Sequence, residues 1–238
     1  MTKLLETKGL KAFYSDFQAL FGIDFAMDAG ETITIIGANG SGKSTFLRTL
    51  TGLCPSRGQR IVLNGMPIAG IPADRIHRLG LAMVPEGRRL FPSLSLEENL
   101  LIGASGGRPG YWNLARVYEL FPDLVAKKRN PATALSGGQQ QMVAIGRALM
   151  SNPLLLLCDE ISLGLSPKVV KDIYRAVPLI REHGTSIIVV EQDINQALAV
   201  ADRVYCFMEG KVTLTGRPDE LSRHQIADAY FGVSPEAA

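Results

Sequence analysis

The chain has 238 residues, 46% of them hydrophobic and 20% charged, with a net charge of +2. That is enough apolar mass for one large α/β domain or two small ones, and it excludes a disordered chain. The balanced charge excludes a broad nucleic-acid surface, and apolar runs such as 154–158 are too short to cross a bilayer. Cys54, Cys158 and Cys206 are scattered without ligand spacing and read as small core residues of a reducing compartment. The start, Met1-Thr2-Lys3-Leu4-Leu5-Glu6, does not read as a signal peptide, so any membrane role is expected to come through partners.

Residues 4–10 read as a strand, 11–18 as a loop, and 23–27 as a second strand before the turn Asp28-Ala29-Gly30-Glu31. Closely spaced strands joined by turns suggest an antiparallel layer. Tyr14, in the loop, is either an aromatic that stacks on an adenine ring or an ordinary surface or core residue.

The β-branched run 32–36 leads into Gly37-Ala38-Asn39-Gly40-Ser41-Gly42-Lys43-Ser44, which fits G-x-x-x-x-G-K-[ST]. Residues 45–51 follow as a helix closed by Gly52. Strand, glycine-rich turn and helix are the context a phosphate cradle needs. Glycines let successive backbone N–H groups turn inward, and the helix points its positive end at the same spot. Lys43 adds a full charge for the β- and γ-phosphates, and the Ser44 hydroxyl suits Mg²⁺.

Residues 59–63 read as a strand ending in the hairpin signal Asn64-Gly65, 72–79 as a short helix, and 81–84 as an apolar strand. The polar loop Pro85-Glu86-Gly87-Arg88-Arg89 leaves that strand. The texture then becomes helical. Ser95-Leu96-Glu97-Glu98 is a capping box, and 111–120 has helical spacing in Leu114, Val117, Tyr118 and Phe121. Roughly 95–150 therefore reads as a helical insertion. Within it, Leu135-Ser136-Gly137-Gly138-Gln139-Gln140-Gln141 opens a helix to about Met150, with Ser136 as its cap. This end is either a second anion-binding terminus or an ordinary glycine-rich N-cap.

The run 154–158 reads as a strand buried on both faces, and Asp159-Glu160 stands at its carboxyl end, where open α/β sheets place ligands. Asp159 suits Mg²⁺ and Glu160 suits activation of an attacking water. Ser166-Pro167 opens a helix to Gly184, 186–190 is a strand, and Asp193 caps a helix to about Ala201. Residues 203–208 and 211–214 form a closing hairpin, while 218–221 and 225–231 read as short helices before a loose tail at 234–238. His77, His183 and His224 are taken as surface residues.

Three motifs now stand in one order: the P-loop, Leu-Ser-Gly-Gly-Gln at 135–139, and the apolar strand into Asp159-Glu160. Together they resemble the ATP-binding subunit of an ABC transporter. The resemblance implies a P-loop NTPase α/β fold across a single domain, 1–238. It has a RecA-like core, an antiparallel β subdomain and an inserted helical subdomain at roughly 90–150. The nucleotide would be held by Gly37, Ala38, Asn39, Gly40, Ser41, Gly42, Lys43, Ser44 and Thr45, with Tyr14 as the aromatic that stacks on adenine. Ser44, Glu86 and Asp159 would serve Mg²⁺, and Glu160 and Gln192 would serve hydrolysis. Ser136, Gly137, Gly138 and Gln139 would act on the ATP of a second ABC ATPase, a copy or a paralogue, in a head-to-tail dimer.

The implied partners are transmembrane permease subunits and, indirectly, a solute-binding protein, with no nucleic acid. The implied place is the cytoplasmic face of the cell membrane. Leu165 stands where many members carry aspartate, Glu86 where most have glutamine, and Gln192 where most have histidine. Val84-Pro85-Glu86-Gly87-Arg88, Val190-Glu191-Gln192, Phe13-Tyr14, Ala19-Leu20 and Ala229-Tyr230-Phe231-Gly232 together resemble one branch. That branch serves branched-chain amino acid importers and relatives that import urea or short-chain amides. The rival readings are a soluble, non-transport ABC ATPase and a P-loop phosphotransferase.

Overall fold

The computed structural model describes residues 3–56 and 60–232. The chain divides into two compact units, Met1–Ile76 with Ile188–Ala238, and His77–Ile187.

In the first unit, β1 (Lys3–Tyr14) and β2 (Phe17–Asp28) pair antiparallel as far as Tyr14↔Phe17. Residues 11–14 are therefore strand and not loop. Nothing in Lys11-Ala12-Phe13-Tyr14 breaks a strand, and Ala12 is fully buried, so the in–out alternation continues past Leu10. The turn at Ser15-Asp16 escapes a search for glycine because Ser15 itself takes the left-handed conformation, at φ 52°.

β3 (Thr32–Ile36) is buried throughout and opens through the glycine-rich loop into α1 (Lys43–Leu50). β4 (Arg60–Leu63) and β5 (Met66–Pro67) form the hairpin signalled by Asn64-Gly65, with both turn residues at positive φ. Gln59, the first residue of the expected strand, lies outside the described residues. The first sheet runs β2-β1-β4-β5. α2 (Ala73–Arg78) leads out of the unit.

The second unit begins with β6 (Leu81–Val84). α3 (Leu96–Ile102) has the expected capping box. The Glu98 N–H donates to Ser95 Oγ at 3.2 Å, and the Ser95 N–H donates to the Glu98 carboxylate at 2.8 Å. α4 (Leu114–Leu120) starts three residues later than its spacing suggests, because the Asn113 side chain caps it. Tyr111 and Trp112 lie outside the helix, and Asn152 pins the Trp112 backbone through two hydrogen bonds.

α5 (Gly137–Leu149) buries Met142, Val143, Ile145 and Leu149, as its pattern requires. A Cβ on Gly146 would stand 2.6 Å from Val117 and 2.8 Å from Leu100. Glycine there lets α3 and α4 close onto α5. β7 (Leu155–Asp159) pairs with β6 in parallel, from Leu81↔Leu155 to Val84↔Cys158. Parallel neighbours need a crossover connection, and α3–α5 are that crossover. α6 (Pro167–Glu182) and the start of β8 (Ser186–Glu191) complete the unit, with the Ser186 N–H donating to the Leu154 carbonyl at 2.9 Å.

Back in the first unit, α7 (Ile194–Val200) is capped by Asp193, whose carboxylate accepts from the Asn195 and Gln196 N–H groups. β9 (Arg203–Met208) pairs parallel with β3 and antiparallel with β10 (Lys211–Gly216). α8 (Arg223–Phe231) ends the described chain, and the expected loose tail at 234–238 lies outside it. Residues 218–221 form a turn and not a helix. Four residues led by proline close a single turn, with the Glu220 N–H bonded to the Arg217 carbonyl.

The core of this unit is aromatic. Phe25 packs on Phe46 at 5.1 Å and on Tyr205 at 4.5 Å, and Phe46 packs on Phe207 at 5.4 Å. Each such burial contributes about 1.5–3 kcal/mol, and these contacts lock α1 against β2 and β9. All three cysteines are buried and outside any disulfide, as expected of core residues. His183 and His224 are exposed, while His77 is half-buried. Among the described residues, no helix is long and apolar enough to cross a membrane.

Candidate functional site

The first unit builds a phosphate cradle from β3, its exit loop and α1. Gly37 is irreplaceable on space alone, because a Cβ there would collide with the Phe207 carbonyl. Gly42, at φ 101°, is the N-cap of α1 and supplies no side-chain cap, and the first turn of α1 carries no acidic residue. This helix end is thus shaped for an anion brought from outside. Lys43 is buried, and its Nζ donates to the Gly37 carbonyl at 2.7 Å and the Ala38 carbonyl at 2.9 Å. The ammonium is folded back along the loop, while Ala38, Asn39 and Gly40 form an exposed tip. Ser41 Oγ is buried with no hydrogen-bond partner among the described residues. An orphaned hydroxyl beside a buried ammonium fits a site completed by phosphate oxygens.

Tyr14, at the end of β1, is 44% exposed, and its hydroxyl lies 3.4 Å from Thr45 Oγ1. The fold thus brings the aromatic to the first turn of α1, with ring surface open. Glu191 is buried and Gln192 half-buried between the end of β8 and the Asp193 cap of α7. α7 packs on the strand that feeds the cradle, where Thr34 Oγ1 donates to the Ala197 carbonyl at 3.0 Å.

The second unit holds the remaining candidates. Ser136 caps α5 in a full capping box. Its Oγ accepts from the Gln139 N–H at 3.3 Å, and the Gln139 side chain accepts from the Ser136 N–H at 3.1 Å. A Cβ on Gly138 would stand 2.5 Å from Val169, so glycine there sets how closely α5 meets α6. Gln140 bonds the Ala132 and Leu135 carbonyls, which fastens the segment leading into Ser136.

Asp159 ends β7 almost fully buried. Glu160 follows at φ 50°, an uncommon conformation for a non-glycine residue and one that gathers at functional sites. Glu86 is exposed in the loop after β6. Among the described residues no group of three or more His, Cys, Asp or Glu could hold a metal on its own. A single hydroxyl and one or two carboxylates suit Mg²⁺, which keeps its waters and takes substrate phosphates as ligands. The ties between α5 and the loop after β6, made by Arg88 and by Arg147 of α5, left no signal in the sequence.

Residues 20–162 match the family model described as ABC transporter. The high-affinity branched-chain amino acid transport ATP-binding protein BraG of Pseudomonas aeruginosa is 41% identical over 233 residues, which cover 96% of this chain and 100% of that protein. The probable branched-chain amino acid transport ATP-binding protein LivF of Archaeoglobus fulgidus is 32% identical over 225 residues, covering 93% and 95%. An ATP-binding cassette of an ABC transporter, solved in its ADP conformation, superposes with a TM-score of 0.82 at 26% identity, covering 96% and 94%. The P-loop, the Ser136 turn and the Asp159-Glu160 strand end therefore stand in a family frame that spans nearly the whole chain, and the chain belongs to the ABC transporter family, as one of its ATPases.

Proposed function

We propose that this chain is the ATP-hydrolysing subunit of an importer for branched-chain amino acids or a related small solute such as urea. The observation that carries the ATPase chemistry is the cradle, with Lys43 and the orphaned Ser41 hydroxyl buried at a helix end that has no cap of its own. The likeness to BraG supports the cargo. In this reading 1–238 is one nucleotide-binding domain with a helical subdomain at roughly 90–150. It works on the cytoplasmic face of the membrane as a head-to-tail pair with a second ATPase, beneath permease subunits fed by a solute-binding protein.

The residues divide the work. Backbone N–H groups of 37–45 and the Lys43 ammonium bind the phosphates. Ser44 and Asp159, with Glu86 nearby in sequence to β6, are the oxygens that would hold Mg²⁺, which neutralises charge on the β- and γ-phosphates when bound. Glu160 orients the attacking water and accepts its proton. Gln192 donates an amide hydrogen to a γ-phosphate oxygen and takes no part in proton transfer, since an amide does not titrate near neutral pH. Ser136, Gly137, Gly138 and Gln139 serve the partner's ATP.

Tyr14 tests the adenine assignment. Stacking is blind to base identity, since every base has a π-face. Tyr14→Ala is expected to weaken ATP and GTP alike, by roughly 5- to 150-fold for a loss of about 1–3 kcal/mol per stacked base. Tyr14→Phe should be nearly silent, because the hydroxyl makes only the long contact to Thr45. Titration with both nucleotides checks this, and an unchanged Tyr14→Ala affinity would remove Tyr14 from the site.

The cargo is tested in vesicles holding the permease, this chain and its companion ATPase. Leucine, isoleucine, valine and urea are each presented on purified binding protein. Hydrolysis that rises with the branched-chain amino acids supports the proposal. Stimulation by urea alone moves the cargo, and hydrolysis indifferent to the permease favours a soluble ABC ATPase.

A further inference from the structure

The loop after β6 holds a backbone conformation that its own residues do not favour. Arg88 (φ 65°) and Arg89 (φ 48°) are consecutive non-glycine residues in the left-handed region. Such residues persist only where the surroundings over-determine them. The determinant lies on α5. Arg147 Nη1 donates to the Arg89 carbonyl at 2.7 Å, and its Nη2 donates to the Arg88 carbonyl at 3.0 Å. One guanidinium fork therefore spans the carbonyls of both left-handed residues, with its carbon 5.7 Å from the centre of the Phe91 ring.

A second tie stands near the other end of α5. Arg88 Nη1 donates to Gln140 Oε1 at 3.2 Å, and Gln140 in turn bonds the carbonyls of Ala132 and Leu135. The Arg88 guanidinium also lies 3.2 Å from where a Cβ on Gly137 would stand. The loop that carries Glu86 is thus fastened to both ends of the helix that begins at Ser136.

We propose that Arg147 and Arg88 are positioning residues that fasten the Glu86 loop to α5, so that this loop and the Ser136–Gln139 turn shift as one piece through the ATP cycle. The inference rests on the reading above, in which Glu86 and that turn serve ATP sites. Arginine is required at 147 because a lysine ammonium, a point charge on a flexible stem, cannot hold two carbonyls in a fixed fork.

The test measures kcat, KM for ATP and nucleotide affinity in the assembled transporter. Arg147→Met and Arg147→Lys are each expected to lower kcat about tenfold, the size of one or two lost hydrogen bonds, while nucleotide affinity stays within about twofold. Glycine takes the left-handed conformation without steric cost, and the Arg89 side chain is exposed. Arg89→Gly added to Arg147→Met should therefore restore the melting temperature but not kcat, because the loop keeps its conformation while the tie to α5 stays lost. A merely structural role for Arg147 would instead let kcat recover together with stability.

Wild-type kcat in Arg147→Met, or full recovery of kcat with Arg89→Gly, overturns the proposal. If Arg147→Met does not fold, Arg88→Met and Gln140→Leu carry the test. Each should lower kcat, with the double variant no worse than the worse single, and fully additive losses overturn the tie. Wild-type nucleotide binding, measured in parallel, separates the two readings. Its absence would bring down the ATPase assignment, whereas its presence with an indifferent Arg147 brings down this inference alone.

Discussion

Lys43→Ala is expected to abolish tight ATP binding. The Lys43 ammonium is buried in the loop and held by the Gly37 and Ala38 carbonyls, so no other side chain of the loop can take its place opposite the phosphates. A hydrogen bond to a charged group contributes about 1.5–3 kcal/mol, and a phosphate engages this ammonium with more than one oxygen. The expected loss is therefore at least about tenfold in affinity for one bond, and about a hundredfold or more where two bonds are lost. The same substitution strips two loop carbonyls of a donor, so the empty protein should melt slightly earlier. Calorimetric titration with ATP, paired with a melting curve, checks both effects. Wild-type affinity in a folded Lys43→Ala protein would show that the cradle is not the nucleotide site.

Glu160→Gln should do the opposite, keeping nucleotide and stopping turnover. Glutamine has nearly the shape of glutamate and can still bond a water, but it cannot accept that water's proton. General-base catalysis is worth roughly 10²–10⁴-fold, which is the expected fall in kcat. The backbone at Glu160 is already left-handed, at φ 50°, and Leu163 closes onto its carbonyl at 3.3 Å, so the change leaves the turn intact. ATP should then accumulate on the protein and hold the paired ATPases closed, visible as a dimer in gel filtration with ATP. Single-turnover kinetics measure the rate, and hydrolysis equal to wild type would strip Glu160 of its role.

Much of this molecule could be read from the chain because its cues are local. The run 32–36 is β-branched and buried, and the loop after it needs glycine wherever backbone is approached closely, as Phe207 approaches Gly37. The boxes Ser95/Glu98 and Ser136/Gln139 satisfy helix-end N–H groups within four residues, and Asn64-Gly65 closes its turn on itself. The order of the motifs then carried the family.

Other features depended on pairing and packing that no short pattern shows. Residues 11–14 are strand because β2 pairs with them, and 218–221 are a turn although their composition permits a helix. Gln140 reads as one polar residue among three, yet it ties Ala132, Leu135 and Arg88 together. Arg88 and Arg89 read as part of a polar loop, and their left-handed backbone exists because Arg147, nearly sixty residues on, bonds both carbonyls. A single residue's conformational preference is worth about a kcal/mol, and a pair of charge-assisted hydrogen bonds from a half-buried arginine exceeds it, so at this loop packing overrules propensity.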